Sequence, residues 1–282
     1  MKKSLLFALS ALVLTACGTS NPPSQKTDEN LLGMWYLMPS NGDGTGTSLF
    51  FDEDGIVVYR CVPDITQMVV SDWGGIVKNM TYTIADNNKL CISYSGEIYD
   101  ISPETFEYTT DYTIKEDELI IHNFSTGGHR FEEVSFVAGE EVPKKELNES
   151  DKASLDAIFS PNNSYFQSDK VNEYNTSIVR SEEELRAMCP EGVALPEIDF
   201  SKECILFSYF LAASSDYNLL GTALYHNPLN DLYEYRIRIR GCFICSDALE
   251  EHVAYSVHTI PSNSIHYMTA LPLFRLYNPE EQ

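Results

Sequence analysis

The residues whose types and spacing offer chemistry are, first, cysteines. Cys242-Phe243-Ile244-Cys245 is a CxxC pair, a spacing shared by redox dithiols and by half of a zinc site. A redox cysteine usually draws its low pKa from a helix N-terminus. This pair instead follows the alternating stretch Tyr235-Arg236-Ile237-Arg238-Ile239-Arg240, which reads as a strand. Zinc held by Cys189, Cys204, Cys242 and Cys245 has the right ligand number but lacks a second knuckle to match the first. Asn41-Gly42-Asp43-Gly44-Thr45-Gly46, with Asp52 beyond it, sets polar groups, a glycine and a late carboxylate in the order of a calcium loop. Its first ligand is Asn, its last is Asp rather than a bidentate Glu, and no helices flank it, so a glycine-rich hairpin loop is the expectation. His122 and His129 could face each other across a hairpin through Ser125-Thr126-Gly127-Gly128, without a third ligand. The chain contains no nucleophile elbow, phosphate loop, HExxH or dinucleotide fingerprint. No catalytic residue, metal or cofactor is expected.

The leader is more specific. Lys2-Lys3 precede an apolar run from Leu5 to Leu14, followed by Leu14-Thr15-Ala16-Cys17. A basic start, a short apolar stretch and a small-residue cleavage site read as an export signal. Leu14-Thr15-Ala16-Cys17 resembles the bacterial lipobox, which implies cleavage before Cys17 and a diacylglycerol on its sulfur. By that resemblance residues 1–16 are a lipoprotein signal peptide and the protein sits in the cell envelope. The expected place is the outer membrane, facing the periplasm or the cell surface. Residues 17–30 carry Pro22-Pro23 and no apolar periodicity, the composition of a flexible tether.

With Cys17 assigned to lipid by that resemblance, six of the seven cysteines remain: Cys61, Cys91, Cys189, Cys204, Cys242 and Cys245. An even number in an exported chain suggests disulfides, with buried reduced thiols as the alternative reading.

Net charge is −23 for the full chain. Such a surface repels phosphate backbones, and no Lys/Arg cluster tracks one, so nucleic acid is excluded as a partner. Hydrophobic residues make up 43% of the chain, enough for a real core. Past the leader no apolar run reaches membrane-spanning length, so lipid is the expected attachment.

Short strands joined by tight turns fill residues 31–138. Leu49-Phe50-Phe51 and Ile56-Val57-Val58-Tyr59 flank Asp52-Glu53-Asp54-Gly55, where Gly55 can take a positive φ. Tyr82-Thr83-Ile84 and Leu90-Cys91-Ile92 flank residues 85–89, and Tyr112-Thr113-Ile114 and Leu119-Ile120-Ile121 flank residues 115–118. This spacing predicts an antiparallel up-and-down barrel. Gly33-Met34-Trp35 at its head resembles the Gly-x-Trp of lipocalins, and the stretch as a whole is similar to the lipocalin-like domains of Bacteroidetes lipoproteins. The resemblance implies a small apolar ligand held in the barrel. Trp35 is expected in the core, with a sugar-stacking role as the alternative.

Residues 139–163 are charged and turn-rich and read as a linker, with a helical turn suggested by Leu155, Ile158 and Phe159. From 164 to 282 a small α+β domain is expected. Ser181-Glu182-Glu183-Glu184 is a capping box, and Cys204–Leu211, Tyr217–His226, Tyr233–Ile239 and His252–Ile260 read as strands. This half resembles the C-terminal domain of a bacterial protease-complex subunit, which implies an interaction role without catalytic residues. The fold expected is thus mainly β with some α. The function expected is a non-enzymatic, lipid-anchored envelope protein that binds an apolar ligand. The alternative is an accessory lipoprotein docking on another envelope protein through its C-terminal half. A glycan hydrolase has only location and aromatic content behind it.

Overall fold

The computed structural model describes residues 28–38, 47–61, 76–85, 89–95, 105–125, 130–167, 175–213, 218–240, 249–265 and 268–275. Cys17, the tether before residue 28, the Asn41–Gly46 loop, His129, Cys242 and Cys245 lie outside them.

Eight antiparallel strands close into a barrel: β1 Gly33–Leu37, β2 Ser48–Phe51, β3 Ile56–Cys61, β4 Ile76–Ala85, β5 Lys89–Ser95, β6 Thr105–Lys115, β7 Glu118–Ser125 and β8 Arg130–Ala138. Each pairs with its sequence neighbour, and β8 returns to β1 through Trp35↔Ala138 and Leu37↔Phe136. The Asp52–Gly55 turn forms as expected. Asp52 Oδ1 accepts from the N–H groups of Asp54 (3.0 Å) and Ile56 (2.8 Å), and Gly55 has φ 79°. At the β6–β7 turn, by contrast, Glu116 takes φ 53° without a glycine.

Alternation splits each barrel strand between two faces. Trp35, Leu49, Phe51, Val57, Tyr59, Met80, Tyr82, Leu119, Phe124 and Phe136 fill the inside. Leu49, Val57, Leu90, Ile92, Leu119, Ile121 and Phe136 have no accessible surface, so no water-sized gap touches them. A single 3-10 turn, Glu29–Leu31, crosses the end of the barrel where β1 begins. Trp35 Nε1–H donates to the Leu31 carbonyl (2.9 Å), and the Tyr112 hydroxyl donates to Asp28 (2.8 Å). Trp35 is therefore core, as its position suggested, and its indole ties down the turn.

Among the described residues, the rest of the chain builds two sheets and two α-helices. The strands are β9 Glu140–Glu141, β10 Asn175–Val179, β11 Cys204–Ala213, β12 Asn218–Asn227, β13 Leu232–Arg240, β14 Leu249–His258 and β15 Met268–Arg275. One sheet has the order β10-β11-β14, the other β15-β13-β12-β9, with β15 parallel to β13. The sheets share a core of Cys204, Leu206, Phe210 and Ala254 against Leu224, Tyr233, Tyr235 and Ile237. On the outer face of the three-stranded sheet lie helices α1, Glu149–Ile158, and α2, Glu182–Met188. Phe159 and Phe166 pack there against Phe207. Ser181 caps α2 by accepting from the Glu184 N–H (3.2 Å), and the helix stops at Cys189, before Pro190. Strands β10 and β15 had no counterpart in the sequence reading.

Residues 139–147, the first part of the 139–163 stretch read as linker, are tied to the barrel and the sheets at several points. Gly139 N–H donates to the Met34 carbonyl, Val142 N–H to Leu224, and Lys145 N–H to Val257, while Thr259 N–H donates to Pro143. A Cβ at Gly139 would meet the Tyr36 ring at 2.7 Å and Met34 at 3.0 Å. Both neighbours are buried, so Gly139→Ala forces a repacking that costs about 1–3 kcal/mol. Thermal unfolding should show a lowered Tm for Gly139→Ala.

Candidate functional site: a buried charge cluster between barrel and sheets

The strand β13 carries two faces of opposite character. Tyr233, Tyr235 and Ile237 point into the core between the sheets. Glu234, Arg236 and Arg238 therefore point the other way, and that face meets the outer wall of the barrel. Met34, Tyr36, Phe50 and Val58 from the barrel pack there with Ala223 and Tyr225 from β12.

At the centre, Glu234 takes three partners. Arg60 Nη1 lies 3.2 Å from its carboxylate, Arg236 Nη2 forms a close ion pair with it, and the Tyr36 hydroxyl donates at 3.4 Å. The Arg60, Glu234 and Arg236 side chains are 8%, 5% and 0% exposed. Burial lowers the Arg60 guanidinium from its ordinary pKa, and the Glu234 charge opposes that shift. Burial, then the neighbouring Glu234 charge, push the Tyr36 phenol well above its usual range, so it remains a donor. Arg236 also lies 5.6 Å from the centre of the Phe50 ring, within cation–π range.

The rim of this contact is acidic. Arg238 reaches Asp52 (3.5 Å), Glu53 (3.6 Å) and Asp54 (3.7 Å) in the β2–β3 turn. Asp52 thus serves the turn and the contact with Arg238. Burial raises its pKa despite the N–H groups and the arginine.

A second buried polar chain runs through the sheets. His258 Nδ1 lies 3.1 Å from the Val142 carbonyl, which can only accept, so Nδ1 carries the proton. Nε2 then accepts from Ser256 Oγ (2.9 Å), and Ser256 accepts from the Tyr235 hydroxyl (3.1 Å). A Ser–His pair so connected has the hydrogen bonds of a nucleophile and its base. Here His258 is fully buried between the sheets, so no substrate reaches it in this arrangement. The chain instead fastens the segment after β9 to β14.

The sequence candidates fall elsewhere. Cys91, Cys189 and Cys204 are free thiols, and none is disulfide-bonded. Cys204 is buried beside β14, and burial pushes its thiol up to about 12, away from nucleophile or ligand character. Cys61 lies in β3 with its side chain outside the described set, and the CxxC pair is outside it altogether. Among the described residues no group of three or more His, Cys, Asp or Glu is placed to hold a metal. His122 meets Glu133 across β7 and β8 at 3.0 Å. Sequence reasoning did not select Arg60, Glu234, Arg236 or Tyr36. The available signal was a charged residue at every second position of a strand in a chain poor in basic residues.

No protein-family model matches this chain, and comparison with curated proteins finds no match.

Two expectations follow. Glu234→Leu leaves two buried guanidinium groups without their carboxylate and should cost about 3–5 kcal/mol in a denaturant titration. The second concerns pH. Burial holds His258 at about 4 in the folded protein against an ordinary 6.5. The unfolded chain therefore gains a proton first as pH falls. Stability should drop by about 3 kcal/mol between pH 6.5 and 4 from this group alone, and level off below. Comparing the pH dependence of unfolding in wild type and His258→Asn isolates that contribution.

Proposed function

We propose that this chain is a lipid-anchored envelope protein without a catalytic role, and that its folded part is an accessory body that docks on another envelope protein. The leader Lys2-Lys3, the apolar run and Leu14-Thr15-Ala16-Cys17 support the anchor at Cys17. On this reading residues 1–16 are removed, and the tether expected over 17–30 ends before Asp28, whose carboxylate accepts from the Tyr112 hydroxyl at the barrel end. Residues 31–138 are a lipocalin-like barrel headed by Gly33-Met34-Trp35, and the sheets and helices after it form an α+β module.

One observation carries the choice of a protein partner over a small molecule. The barrel interior is occupied by its own side chains, from Trp35 and Phe51 to Tyr82, Phe124 and Phe136, all 3% exposed or less. A lipocalin-type ligand needs a cavity of several hundred Å³ in that volume. The ligand reading retains one support: the half-buried Phe106 ring lies between Tyr94 and Tyr108, at centroid distances of 5.3 and 6.0 Å, along β5 and β6. They lie at the end of the barrel away from the Glu29–Leu31 turn.

The test has two arms. Cys17→Ser should abolish incorporation of labelled fatty acid and release the protein from membranes; retained labelling removes the anchor. Protein purified from native membranes should yield no stoichiometric apolar compound on solvent extraction. In-cell crosslinking should yield one envelope protein at comparable amount. A stoichiometric extracted compound, with no crosslinked partner, would reverse the choice in favour of the ligand.

A further inference from the structure

We draw no further inference here: the strongest candidate, the half-buried apolar surface that Leu147, Val193, Leu195, Ile198 and Phe200 form over the outer face of the β10-β11-β14 sheet, has nothing among the described residues to show what covers it.

Discussion

Burial of the charged face of β13 is the constraint on which the rest of the structure depends. An alternating strand with Tyr233, Tyr235 and Ile237 on one side needs an apolar core there, and the two sheets supply it. The other side carries Glu234, Arg236 and Arg238, groups that leave water only at high cost. They leave it here because the outer wall of the barrel brings Tyr36, Arg60 and the Asp52–Asp54 turn against them. The barrel and the sheets are thus parts of one packed body, joined through residues 139–147, which hydrogen-bond to both.

A buried ionic contact of this kind contributes little net stability, because desolvation offsets most of the attraction. What it contributes is register. Glu234 can meet Arg60 and Tyr36 together in one alignment of β13 over β1 and β3, and a shift by one residue would place Tyr235 there instead. The apolar groups around it, Met34, Phe50, Val58, Ala223 and Tyr225, add area without that selectivity. The same division of labour appears between the sheets. The Tyr235–Ser256–His258–Val142 chain fixes the alignment of the segment after β9, and the surrounding side chains supply the burial.

These polar chains also bear on chemistry. A serine bonded to a histidine nitrogen and a thiol across the strand from that histidine would attract attention in a cleft. Here Ser256, His258 and Cys204 are all buried between packed sheets, where burial raises the thiol and lowers the imidazole. Both shifts favour the neutral forms, which suits groups that hold strands together.

Much of the architecture was legible from residue order. Period-two alternation and the turn at Asp52–Gly55 sufficed for the closed barrel, and Ser181 with Glu184 located α2, because these signals act within a few residues. Strands β10 and β15 were missed: β10 is five residues long, and β15 runs parallel to β13, with no hairpin turn to announce the pairing. The 139–147 segment looked like a linker because its charges dominate its composition, yet its backbone N–H groups find partners far away in the chain. The charge cluster was the least legible feature. Alternation on β13 separates Glu234, Arg236 and Arg238 from Tyr233, Tyr235 and Ile237 by local geometry alone. Which medium each face meets is decided by what packs against it, and the partners Tyr36 and Arg60 stand nearly two hundred residues away in sequence. Local order specified two faces; only the tertiary structure turned the charged one inward, because a surface is exposed or buried by its neighbours in space and not along the chain.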